Sequence, residues 1–147
     1  MLIEKTLSVY YLIDDMLTVI PTKVFYEQSE DDELKNIHYE IYLERQRFIS
    51  KASDVTELAI KNLQKVLPKN IRIASCQSCR YGNFCPYGDN DNEVFCLKDI
   101  EIKDKNDVCE IFSSNTALEK RRRNLLDFCP NYKPISLEKY YTYNDWN

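Results

Sequence analysis

Glycine is almost missing from this chain: 147 residues contain two. That scarcity excludes the glycine-rich loops that cradle phosphates, and no Gly-x-Ser-x-Gly nucleophile elbow occurs. Histidine appears once, as His38, so imidazole acid–base chemistry has a single candidate. Runs of about 18 apolar residues, the minimum for a membrane-spanning helix, are absent. The N-terminus, Met1-Leu-Ile-Glu4-Lys5, lacks the basic segment and apolar core of a secretory signal, with Glu4, Asp14 and Asp15 interrupting it. An excess of positive charge is missing as well: 20 Lys and Arg stand against 24 Asp and Glu, a net charge of −4. Phosphate backbones and anionic membranes need a basic surface, so neither is an expected partner of the whole chain. Low-complexity tracts and internal repeats are also lacking. The expectation is a single cytoplasmic domain of 1–147, long enough to bury its own core.

What the chain does have is a concentration of cysteine. Cys76-Gln-Ser-Cys79-Arg-Tyr-Gly82-Asn-Phe-Cys85-Pro86-Tyr87-Gly88, closing at Phe95-Cys96, holds four of the six cysteines and both glycines. Glycine tolerates close backbone approach and positive φ, so this stretch reads as a tight, backbone-wrapped site. A Cys-x2-Cys turn points two thiolates at one place, and tetrahedral zinc needs four ligands. Cys76 and Cys79 form the first pair. The second comes from Cys85, Cys96, Cys109 and Cys129; Cys96 and Cys129 are selected because each follows Phe, one beyond a loop and the other at an expected helix end. Cys85 competes with Cys96. Buried free thiols and, were the chain secreted, three disulfides are the other readings. His38 reads as a solvent-facing strand residue rather than a ligand.

The pattern Cys76-x2-Cys79, Asn83-x2-Pro86-Tyr87-Gly88, Cys96 and Cys129 resembles a group of uncharacterised bacterial proteins with a β-rich N-terminal half followed by a four-cysteine module. In that group the position before Pro-Tyr-Gly is not regularly cysteine, so the resemblance implies the set Cys76, Cys79, Cys96 and Cys129 over any set using Cys85. It implies no activity. Cys76-x2-Cys79-x5-Cys85-Pro86 also looks like the auxiliary Fe–S cluster domains of some radical enzymes. There a further cysteine follows four residues on, where this chain has Asp89. An Fe–S cluster is therefore the alternative cofactor to structural zinc.

Around this stretch the sequence predicts an α+β protein. Leu7, Val9, Tyr11 and Ile13 alternate with polar neighbours, as do Ile37, Tyr39, Ile41 and Leu43, which is the period of half-buried strands. Leu17–Gln28 reads as a strand in which Pro21 marks a bulge, an edge or a break. Asp54 and Glu57 resemble a capping box opening a helix with Val55, Leu58, Ala59, Leu63 and Val66 on its apolar stripe, ended by Pro68. Ile71–Ile73 is a short strand. These elements make an antiparallel sheet of about four strands with one packed helix (1–75). A Cys-rich, zinc-knuckle-like module follows (76–130), then an aromatic tail (131–147). Within the module, Leu97–Asp107 reads as irregular, and Thr116 and Glu119 as a capping box opening a helix through about Leu126.

Function is an expectation of class only. Four thiolates close a zinc site against catalysis, and His38-x-Glu40 lacks the Pro-Cys-x2-Cys and the helix that a zinc deaminase needs. No catalytic residues are assigned. The acidic runs Glu30–Glu33 and Asp89–Glu93 suit a protein-binding role against a basic partner, as an immunity-type protein has by analogy. The alternatives are a nucleic-acid-binding zinc module using Lys120–Arg123 with Tyr81, Phe84 and Tyr87, and an Fe–S redox protein.

Overall fold

A computed structural model describes residues 1–88, 92–114, 118–135 and 140–146. The chain divides into two compact units, Met1–Ile73 and Ala74–Asn147.

The first unit is a curled antiparallel sheet of five strands with one helix. Strands β1 (Leu2–Ile13) and β2 (Met16–Gln28) pair along their whole length, from Leu2↔Glu27 to Ile13↔Met16. Asp14 and Asp15, at φ 51° and 65°, make the two-residue turn. Strand β3 (Leu34–Leu43) joins β2 from Gln28↔Leu34 to Lys23↔Glu40 and pairs no further. The ladder stops two residues short of Pro21, which has no N–H to offer. Strand β4 (Gln46–Ile49) folds back on β3 through Glu44–Arg45, and β5 (Ile71–Ile73) pairs with the end of β1. The order is β4-β3-β2-β1-β5.

The alternating residues behave as their period requires. Val9 and Tyr11, Val24 and Tyr26, and Ile37, Tyr39 and Ile41 are buried. The Tyr11 hydroxyl is satisfied by Thr22 Oγ at 2.7 Å. Helix α1 (Thr56–Val66) buries Ala59, Ile60 and Leu63, whereas Leu58 and Val66 of the predicted stripe are 44% and 39% exposed. The cap also departs from the prediction. Asp54 accepts the Asn36 N–H, Ser53 Oγ accepts the Val55 N–H, and the helix opens after Val55 without a side-chain cap. Gln64 reaches from α1 to β5, donating to Ile71 O and accepting from Ile73 N–H. An amide side chain thus covers part of an open sheet edge. Glu40, expected on the wet face, is 6% exposed because the Arg47 guanidinium lies bidentate across its carboxylate at 2.8 and 3.0 Å.

The second unit has a three-stranded sheet of β6 (Gly82–Asn83), β7 (Glu93–Cys96) and β8 (Arg122–Asn124), in that order. Helix α2 (Lys105–Ser114) begins inside the stretch whose sequence reads as irregular. Asp104 accepts the Asp107 N–H while Asp107 accepts that of Lys103, a reciprocal cap. Leu97, Ile102 and Val108 form a core cluster against which Ile111, Phe112, Tyr140 and Tyr141 pack. The predicted helix from Thr116 to Leu126 is corrected: Leu118–Arg121 is a single 3-10 turn and Arg122–Asn124 is strand β8. Long-range pairing wins over the local capping pattern here, with Arg122 bridging Glu93 and Glu119 at 2.9 and 2.8 Å. Thr116 lies outside the described residues, as does Asp89–Asp91 of the second acidic run. No described helix is long and apolar enough to cross a membrane.

Candidate metal centre

The Cys76–Ser78 segment forms a 3-10 turn whose first residue is tied to a distant loop. Cys76 N–H donates to Asp127 O at 2.7 Å and Gln77 N–H to Leu125 O at 3.0 Å, which draws the Cys129 loop to the turn. Cys79 N–H returns to Cys76 O, and Gly82 N–H to Cys79 O at 2.9 Å. Gly82 then pairs with Cys96 across β6 and β7. Three separated pieces of chain therefore bring Cys76, Cys79, Cys96 and Cys129 to the wall of one cavity of about 230 Å³, with Asp127, Arg123 and Lys98 also on it.

The surroundings act on the sulfurs in opposing directions. Burial pushes the Cys76 thiol up to about 12, and the neighbouring Cys79, Asp127, Cys129 and Cys96 add to this as like charges. Cys79 is also raised, chiefly by burial, but backbone hydrogen bonds from Lys133 and Tyr81 to its sulfur pull the other way. Such donors stabilise a thiolate, not a thiol. The four groups border the cavity without converging: among the described residues, no three His, Cys, Asp or Glu side chains stand close enough together to hold an ion. A cation reverses the local balance, because it repays desolvation and removes the mutual repulsion. The donor set, four sulfurs with backbone N–H support, suits zinc or an Fe–S cluster rather than an oxygen-seeking cation.

The remaining candidates lie elsewhere. Cys85 and Cys109 are not on the cavity wall; Cys85 O accepts the Gly88 N–H, and Cys109 sits on α2, its carbonyl 3.4 Å from Tyr87 Oη. No disulfide joins any of the six cysteines among the described residues. His38 stacks on Phe25 in the first unit, with ring centroids 4.9 Å apart. The three arginines of the basic run are engaged within the fold: Arg121 bonds to Asp99 and to Cys96 O, Arg122 to Glu93 and Glu119, and Arg123 to the carbonyls of Lys120 and Arg122.

Sequence reasoning missed the polar brace behind the cysteines. Asn144 Nδ2 donates to Gln77 O and Gly82 O, Asn83 Oδ1 accepts the Tyr143 N–H, and Thr142 Oγ1 donates to Arg80 O. The aromatic tail is thereby stitched along the cysteine loop. Asn83 belongs to the Asn-x2-Pro-Tyr-Gly motif; nothing local in the sequence marks Asn144 as its counterpart. No protein-family model, curated protein or solved structure matches the chain.

Proposed function

We propose that the second unit is organised by a structural zinc ion held by Cys76, Cys79, Cys96 and Cys129, and that the protein is a non-enzymatic, cytoplasmic protein-binding module. The observation that carries the metal reading is that four cysteines from three chain segments line one cavity, with backbone N–H groups aimed at Cys79. Zinc would act as a staple. The sheet of this unit has strands of only two to four residues, short for independent stability, and metal-binding free energy in such modules is folding free energy. Four thiolates fill the tetrahedron, leaving no open position for substrate.

The binding role rests on charge. Glu30, Asp31, Asp32 and Glu33 stand exposed between β2 and β3 on a chain of net charge −4, a combination that steers a basic protein partner. Arg121 and Arg122 of the alternative nucleic-acid surface are paired with carboxylates, which favours the protein-binding reading. An Fe–S cluster on the same four ligands is the second reading. Elemental analysis with a visible spectrum, on protein purified without oxygen, tests the metal reading. One zinc per chain and no colour is the expected result; iron with a brown colour would make redox chemistry the working function, and protein without metal would remove the staple.

A further inference from the structure

Beside the cysteine cavity lies a second, open groove of about 500 Å³ in the same unit, within the size range of small-ligand sites. Its walls are Tyr81, Lys98, Asp99, Asn131, Tyr132 and Lys133. We infer that this groove binds a small ligand joining a phosphate to a planar ring, of the nucleoside monophosphate class, with Lys98 and Lys133 on the phosphate and Tyr81 and Tyr132 against the ring.

Charge comes first. The groove carries two ammonium groups on a protein of net charge −4, and its one carboxylate, Asp99, is neutralised by the Arg121 guanidinium lying bidentate on it. Arg121 holds the Asp99 carboxyl below its ordinary value, so that pair persists near neutral pH. Among the described residues neither Lys98 nor Lys133 makes a salt bridge, although the Lys98 charge adds a smaller downward pull on the Asp99 carboxyl behind that of Arg121. Two exposed lysines are thus left facing a groove whose negative charge is already spoken for, and a compact ammonium is a fitting phosphate donor.

The aromatic walls are set in advance. Tyr132 is held at its hydroxyl by Ser78 Oγ, 3.2 Å away, and along its ring by Phe128. Tyr81 meets Tyr140 edge to face at 5.4 Å. Rings fixed by other contacts lose little entropy when a base stacks on them. Asn131, exposed at the rim, offers both a donor and an acceptor to a ring edge. None of these side chains is a proposed metal ligand, but Lys98 also lines the cysteine cavity and Lys133 and Tyr81 support Cys79 through their backbone, so metal content is measured beside binding.

The test is calorimetric titration of the full-length protein at low salt with AMP, adenosine and inorganic phosphate, repeated on the Lys98→Ala, Lys133→Ala double variant. Both lysines are exposed, so the variant should fold, and an unchanged metal content and melting curve would show that it has. AMP is expected to bind more tightly than phosphate or adenosine alone, and about tenfold more weakly, or worse, to the double variant. No binding of millimolar AMP to the native protein, or equal affinity in the variant, overturns the site. Phosphate binding as tightly as AMP overturns the role given to the tyrosines.

Discussion

The carbonyl oxygen of Cys76 occupies the space that a Cβ would need on Gly82. The overlap is with backbone, which cannot swing aside, and Gly82 also pairs with Cys96. Gly82→Ala should therefore push the Cys76 turn away from β6, costing about 2–3 kcal/mol or more. Gly88 is the control. It has φ +98°, but a methyl group there would meet nothing within 4 Å, so Gly88→Ala should cost only the backbone term of about 1 kcal/mol. Urea melts of the two variants test this; equal losses would mean that the close approach at Gly82 is not a constraint.

The ligand assignment makes a sharper prediction. Cys129→Ser and Cys96→Ser should each lose bound zinc after gel filtration, while Cys85→Ser and Cys109→Ser should retain one equivalent, since neither lines the cavity. Loss of the metal should unfold the second unit, because binding energies of about 10 kcal/mol or more are at stake. Zinc content should also fall on acidification, as protons compete for the thiolates. A zinc-free Cys85→Ser variant would reassign the ligand set.

How much of this is legible in the sequence differs by element. The strands around Tyr11 and Tyr39 declare themselves, because one face is buried and side-chain alternation then records it. Strand β4 does not: Gln46–Ile49 has two apolar residues in four, and its place follows from pairing with β3 rather than from any period of its own. Helix α2 carries a readable signal, Asp104-x2-Asp107 ahead of Val108, Ile111 and Phe112, which the charged residues around it obscure. Cys129 reads from sequence as a helix-end residue, and the helix does not exist there. What brings Cys129 to the cavity is the bond from Cys76 N–H to Asp127 O, a contact between the two ends of the module that no local pattern encodes.

The scarcity of glycine has a measurable cost at the β3–β4 turn. Glu44 and Arg45 adopt φ 49° and 67°, a left-handed pair that Asn-Gly would fill with less strain. Both side chains are exposed. Glu44→Asn with Arg45→Gly should stabilise the first unit by about 1–2 kcal/mol, visible as a higher Tm. An unchanged or lower Tm would show that these two side chains contribute something the turn geometry does not reveal.

The buried tyrosines set an alkaline limit on the first unit. Burial pushes the Tyr11 hydroxyl up to about 12 although its bond to Thr22 opposes the shift, and Tyr39, buried near it, is raised further. A phenol whose pKa is higher in the folded state than in the unfolded chain stabilises the fold fully below the unfolded value of about 10, and that contribution is lost as pH rises toward the folded value. Stability should thus fall between pH 10 and about 12, by about 2–3 kcal/mol for Tyr11 alone. Lysines also deprotonate in this range, so the informative quantity is a difference. In Tyr11→Phe, Thr22 keeps its bond to Ile20 O, which limits the loss at neutral pH to about 1 kcal/mol. The variant's stability should then decline less steeply with pH than the native protein's. Urea midpoints measured across this range, with tyrosinate absorbance followed in parallel, decide it. Parallel declines in the two proteins would place the alkaline limit elsewhere.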